Sequence, residues 1–298
     1  MAALKPALTC PEQIARLKEV HGLVIEDNER AIEILSRINY YRLSGYGIGL
    51  RQKTNAELYQ EGVSLESLYR LYEFDSAFKN SLVHVIEQLE IQLRAQISNY
   101  LAVNYGPECY MDSNFFKEII TKDGETVHNR VVKSFKTECK RQENTPFVIH
   151  HNKNYDGHFP LWVAIELFTF GNLSSLFSIM TPTDQKAIAD MYNTDPKYLG
   201  SWILSLVEIR NICAHYGRLY NMPLKQSPYL YPEYRKYRKS KIIKVFFAIV
   251  TIKRMLNGDE RWQAFEKQLE ALFDEYADVI RLSYIGFPKD WKYVLQHK

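Results

Sequence analysis

Between Leu82 and Ile97, the apolar residues Leu82, Val85, Ile86, Leu89, Leu93 and Ile97 return at steps of three and four. An α-helix turns once every ~3.6 residues, so this spacing draws one buried stripe along the side of a rod. A strand needs apolar residues at every second position, and no stretch of the chain keeps that alternation long enough to compete. The pattern predicts helix from Ser64, a suitable N-cap, to about Tyr100, as one rod or two. With 46% hydrophobic and 13% aromatic residues, the chain has enough apolar surface to close a core around it. The expected fold is all-α.

Further helices are expected at Pro11 to Val20, Asn28 to Ile38, Pro160 to Phe170 (stopped by Gly171) and Pro182 to Tyr192. Asp195-Pro196 opens a long helix that should run to about Leu219. Prolines 223, 228 and 232 mark a loop, after which helices are expected from Glu233 to Leu256 and from Asp259 to Ser283. Three regions result: an N-terminal helical segment (1–52), a helical core (53–222) and a C-terminal basic–aromatic segment with two helices (223–298). The core holds a polar, partly helical insertion at about 107–160, read as an arm. Tyr40, Tyr41 and Tyr46 read as core and interface aromatics.

Charge and cysteine usage narrow the setting. Net charge is only +3, but nine Lys/Arg face one acid, Glu233, between Lys225 and Arg254. The four cysteines are scattered without a CxxC pair, which argues against a disulfide scaffold or a zinc knuckle and fits a reducing cytosol. The densest apolar run, Ile242 to Ile252, is broken by Lys244 and reads as a core helix. A soluble cytoplasmic protein, with no membrane partner, is the expectation.

The chemistry concentrates in Glu208-Ile-Arg-Asn-Ile-Cys-Ala-His215-Tyr-Gly-Arg218-Leu-Tyr-Asn221. On a continuous helix Glu208, Asn211, His215 and Arg218 share one stripe, so Asn211 is in reach to orient the imidazole and Arg218 to meet a phosphate. Arg210 is the awkward member, about 140° round the helix from His215. A long side chain, a helix that ends or tightens near Gly217, or a second subunit would each answer that. An imidazole beside guanidinium groups, with no acidic cage, suits phosphodiester chemistry without a metal: one moves a proton, the other holds phosphoryl charge. A histidine near a helix end is, however, commonly a cap or a solvated residue. On spacing alone a packing and salt-bridge role stands open beside catalysis.

The same segment resembles the RNxxxH signature of the HEPN ribonuclease superfamily, in the form carried by Abi-like (AbiD/AbiF-type) abortive-infection proteins of bacteria. The resemblance extends to Ile38-Asn-Tyr-Tyr-Arg-Leu-Ser-Gly-Tyr46, Leu71-Tyr-Glu-Phe-Asp75, Ile86-Glu-Gln-Leu-Glu-Ile-Gln-Leu-Arg94, Pro160-Leu-Trp162 and Phe170-Gly-Asn-Leu173. It covers roughly residues 14 to 221 in order, and only loosely the chain beyond 223. It implies a HEPN-type helical bundle whose RNxxxH helices meet, commonly across a homodimer, in one composite site. Arg210 and His215 are then the catalytic pair and Asn211 orients them. The implied reaction needs no cofactor and leaves a 2′,3′-cyclic phosphate and a 5′-OH. Function on this reading is RNA cleavage during phage attack, by a toxin held quiet by an RNA or protein antagonist. An RNA-binding or RNA-sequestering module with an inactive site, or a protein-interaction scaffold in phage exclusion, are the alternatives.

Three further groups bear on the site. Glu87, Glu90 and Arg94 share a helix face and either line a cleft opposite His215 or form a buried ion-pair lock; such acids, like an Asp75–Arg70 pair, are more often solvated decoration. Tyr234, Arg235, Lys236, Tyr237, Arg238, Lys239 and Lys241 interleave rings and cations, as an RNA-contact surface or a solvated helix start. His150, His151, Asp156 and His158 lack metal-ligand spacing, and no metal site is expected.

Overall fold

The computed structural model describes residues 6–238 and 242–297. Among them the chain is all-α, and pairing between extended segments is limited to isolated bridges such as Val24 with Ser64. The helices are α1 (Cys10–Glu19), α2 (Asn28–Arg37), α3 (Tyr40–Ser44), α4 (Leu65–Tyr105), α5 (Val127–Arg141), α6 (Pro146–Asn154) and α7 (Leu161–Ala164). Then come α8 (Phe170–Ile179), α9 (Pro182–Asp190), α10 (Pro196–Ala214), α11 (Pro232–Arg235), α12 (Phe246–Met255), α13 (Glu260–Glu275) and α14 (Trp291–His297). No helix among the described residues is long and apolar enough to cross a membrane.

Short polar side chains fix many of the helix starts by accepting otherwise orphaned backbone N–H groups. Thr9 and Glu12 form a reciprocal capping box on α1, with Pro11 in the first turn. Asp27 accepts from Arg30 N at 3.0 Å on α2, and Thr181 from Asp184 N at 3.2 Å on α9. Thr169 does the same for α8, accepting from Asn172 N at 3.1 Å. Gly171, expected to stop a helix, therefore lies inside the first turn of one. The helix expected from Pro160 to Phe170 is instead α7 and a 3-10 turn, Ile165–Leu167.

The chain divides into two compact units. The first comprises Met1–Ser81, Arg218–Met222 and Phe265–Lys289. Its N-terminal core joins Ile14 and Leu17 of α1, Ala31, Ile34 and Leu35 of α2, Leu43 of α3, and Leu65 and Leu68 of α4. Phe74, Phe78, Phe273 and Tyr276 form a ring cluster with centroids about 6 Å apart, Phe74 stacked on Phe78 and the other contacts tilted. Of the three tyrosines expected as core and interface aromatics, Tyr46 is buried, while Tyr41 is 86% exposed.

The second unit comprises Leu82–Gly217, Pro223–Ala264 and Asp290–Lys298. The stripe from Leu82 to Ile97 is its spine, each of the six side chains 2% exposed or less. Burying each such side chain contributes about 1.5–3 kcal/mol before entropy is counted. α10 packs against α8, α9 and α12, and α5 against α8. The polar insertion thus packs inward through one face: Phe135 of α5 meets Tyr110, Phe159 and Phe168 at 5.2–6.1 Å. The helix expected from Glu233 to Leu256 is instead the short α11 and, after an interval, α12.

Candidate functional site

α10 carries the RNxxxH segment and stops earlier than expected. Its last helical residue is Ala214 and His215 is the C-cap, its N–H donating to Asn211 O at 3.0 Å. Tyr216 N–H then bonds Cys213 O at 3.0 Å and Gly217 N–H bonds Ile212 O at 2.7 Å, which is the paired bonding of a Schellman turn. The left-handed position of that turn usually holds glycine, but here it holds Tyr216, with φ of 54°. Gly217 is required for a different reason. A Cβ there would lie 2.9 Å from Ile212 Cγ2 and 3.0 Å from Ile212 O. Gly217→Ala is expected to destabilise the chain by about 1–3 kcal/mol, read as a lowered unfolding midpoint in urea; an unchanged midpoint would show that the turn adjusts freely.

Because the helix ends, the expected stripe breaks up. Asn211 and His215 are both exposed. The Asn211 amide does not orient the imidazole: its Oδ1 accepts from Arg210 Nη1 at 3.2 Å. Glu208 faces the following loop, where its carboxylate accepts Lys225 N at 2.8 Å and Gln226 N at 2.6 Å. Two backbone donors on one carboxylate pin that loop, which is a structural task.

Arg210 turns toward α4. Its Nε and Nη2 donate to the two Glu90 carboxylate oxygens at 3.3 and 3.4 Å. Arg94 Nη2 meets Glu90 Oε1 at 2.5 Å and also donates to Phe168 O at 2.6 Å, while Arg94 Nη1 donates to Ile165 O. Glu90 is buried, with 7% of its surface exposed. Of the two arrangements open for this face, the structure has the ion-pair lock, one carboxylate between two guanidiniums. Glu87, on the same helix, is exposed. The Arg210 side chain keeps 31% exposure, so part of its guanidinium still faces solvent.

Arg218 and Asn221 belong to the first unit. Arg218 lies over the Tyr46 ring, 5.6 Å from its centroid, and Nη2 contacts Met222 Sδ at 3.1 Å. Burial holds this guanidinium below its ordinary pKa, opposed by the nearby Asp75 carboxylate. The hub of the segment is Asp75, whose type and position in the sequence suggested solvated decoration. It is fully buried, and its carboxylate accepts Tyr46 OH at 2.8 Å, Leu219 N at 3.0 Å and Tyr220 N at 2.7 Å, with Lys79 Nζ at 3.2 Å. Burial, then the neighbouring Asp75 charge, drives the Tyr46 phenol far above its ordinary pKa. Arg70 pairs instead with Asp278 at 2.8 Å. Asn221 takes a left-handed φ of 54°.

The basic–aromatic segment is only partly a surface. Tyr234 is 1% exposed, so it cannot stack on a base; the apolar environment that buries it raises its phenol pKa. Tyr237 is half-buried and its OH donates to Asp290 Oδ2 at 3.1 Å. Arg235, Lys236 and Arg238 are exposed, while Lys239 and Lys241 lie outside the described residues. The insertion histidines serve packing. His151 stacks between Tyr155 and Phe159 at 5.0 Å from each and donates to His158 O at 3.0 Å, and His158 Nδ1 donates to Glu108 at 2.9 Å.

The family model for Abi-like proteins matches residues 33–221, more than half of the chain. The chain belongs to the Abi-like protein family. Membership suggests a role in abortive infection. No curated protein and no solved structure matches the chain. The Abi-like region holds both carboxylate hubs. Tyr46, Asp75, Leu219 and Tyr220 meet in the first unit, and Glu90, Arg94, Ile165, Phe168 and Arg210 in the second. The sequence blocks of the Abi-like resemblance are thus largely the parts of two buried hydrogen-bond networks.

Sequence reasoning missed Tyr216. It is 74% exposed beside His215, on a backbone conformation that costs a non-glycine residue about 1–2 kcal/mol. The one advance signal was the glycine standing a residue later than a glycine-capped helix end would put it.

Proposed function

We propose that the chain is a metal-independent endoribonuclease of the HEPN type, acting in abortive infection as a homodimer. The observation that supports this best is His215, exposed at the end of α10, with the partly exposed guanidinium of Arg210 tethered by Glu90 and Asn211 just upstream. In this reading a ribose 2′-OH attacks the adjacent phosphorus and the bond to the 5′-oxygen breaks. His215 takes the 2′ proton or delivers one to the leaving oxygen, and Arg210 stabilises charge on the phosphoryl oxygens. The products are a 2′,3′-cyclic phosphate and a 5′-OH. The Tyr216 ring offers a face for a flanking base.

A second copy would answer the angular separation of Arg210 and His215, each protomer contributing to a shared cleft. The α10 face that exposes Asn211 and His215 also exposes Leu204 at 43%, an apolar position that a facing α10 would cover. An RNA or protein antagonist would keep such an enzyme quiet. The alternative, an RNA-binding module with an inactive site, draws on a different observation: the Glu90–Arg210 pair also makes sense as packing alone.

Labelled RNA incubated with the purified chain in EDTA separates the two. The nuclease reading expects cleavage with cyclic-phosphate ends, and a fall of at least ~100-fold in His215→Ala and in Arg210→Ala. RNA binding without cleavage by the unaltered chain, unaffected by either substitution, would establish the binding module instead.

A further inference from the structure

At the opposite end of α10 from His215 lies a groove of about 520 Å³ lined by Lys197, Tyr198, Pro228, Tyr229, Leu230, Arg235 and Arg238. Its volume is within the range of ordinary small-ligand sites. Among the described residues that line it, three are cations and none is an acid, so the groove selects for negative charge. Two are tyrosines, and both are held firmly. The Tyr229 backbone is clamped to α10 on both sides, its N–H donating to Ser201 Oγ at 2.9 Å and its carbonyl accepting Trp202 Nε1 at 2.8 Å, while the residue as a whole stays 56% exposed. Tyr198 is backed by the Tyr231 ring at 4.5 Å, and Tyr231 OH is fixed to Thr194 at 2.6 Å. Lys197 Nζ stands 5.8 Å from the Tyr198 centroid and 5.7 Å from that of Tyr229, between the two rings.

A prearranged aromatic face bordered by cations fits a ligand that is flat at one end and anionic at the other. We propose that the groove binds one nucleotide unit of a single-stranded RNA, its base against Tyr229 and its phosphate among Lys197, Arg235 and Arg238. This rests on RNA being the substrate, and adds a second anchor to the site at His215. α10 spans 19 residues, so the anchors are about 28 Å apart along it. At one phosphate per ~3.4 Å, a stacked strand reaching both would need roughly eight nucleotides. The anchor would therefore act on longer RNAs only.

The test uses the full chain and a fluorescent 12-nucleotide RNA fully 2′-O-methylated, which can bind but cannot undergo 2′-OH attack. Tyr229→Ala and Arg235→Ala/Arg238→Ala are each expected to weaken anisotropy-measured affinity by roughly 10-fold or more. The double variant should also flatten the slope of log affinity against log salt by ~0.7 for each phosphate that the protein no longer neutralises. These side chains are exposed, and unchanged thermal unfolding would exclude a folding defect. Unaltered affinity and slope in both variants would overturn the proposal. AMP binding as tightly as the 12-mer, with the same dependence on Tyr229, would overturn the strand and leave a free nucleotide as the ligand. Because the probe cannot be cleaved, a chain without nuclease activity would still give a decisive result here.

Discussion

Asp75→Ala is expected to lower the unfolding free energy by about 3–5 kcal/mol, the range seen when one partner of a buried charge pair is removed. The carboxylate is 0% exposed and receives four donors: Tyr46 OH, the Leu219 and Tyr220 N–H groups, and Lys79 Nζ. Alanine would strip the Leu219 and Tyr220 amides of this acceptor, at a cost of about 1–3 kcal/mol for each buried group left unsatisfied. It would also take the nearest counter-charge from Lys79, itself only 7% exposed. Urea unfolding measures the loss directly. Asp75→Asn keeps the shape and an acceptor oxygen, so it should cost less. A drop below about 1 kcal/mol in Asp75→Ala would mean that water or rearrangement replaces the carboxylate. The consequence reaches past stability, because Leu219 and Tyr220 lie four and five residues beyond His215. Loosening them frees the chain that leaves the RNxxxH helix.

The role of Asp75 was hidden in the sequence for a physical reason. Leu71, Phe74, Phe78 and Leu82 mark the apolar side of α4, and Asp75 is four residues after Leu71 with Lys79 four further on. An acid on the buried stripe, with a lysine one turn later, is the signature of an internal charge pair. Weighing each acid alone, as decoration, misses it. The all-α class was legible because a period near 3.6 over a whole helix leaves few alternatives. The end of α10 was not. Helix propensity continues through Tyr216, and the end is set by a local turn in which Gly217 N–H bonds Ile212 O and a Cβ at 217 would find no room. The burial of Tyr234 was equally hidden, since a tyrosine among cations looks the same in sequence whether its ring faces water or a core. The Glu90–Arg94 pair was visible as a spacing of four; its third member, 120 residues away on α10, was not.

That third member allows the two functions of the network to be separated. Glu90→Ala is expected to cost about 3–5 kcal/mol, because it leaves Arg94 without its carboxylate in a site where its side chain is 12% exposed. Arg94 must keep its position regardless, since its guanidinium also ties α4 to the carbonyls of Ile165 and Phe168. Arg210→Ala should cost much less, on the order of 1 kcal/mol, because Arg210 is 31% exposed and its bonds to Glu90 are long, while Glu90 keeps Arg94 as a partner. Urea unfolding of the two variants side by side measures the asymmetry. Equal losses would mean that Arg210 and Arg94 share the carboxylate evenly, and that Arg210 is as much a structural residue as its neighbour. The expected inequality has a use beyond stability. If Arg210→Ala stays folded, loss of the proposed RNA cleavage in that variant reports on chemistry at the exposed part of the guanidinium, whereas the same loss in Glu90→Ala would mix a weakened bundle with an untethered Arg210.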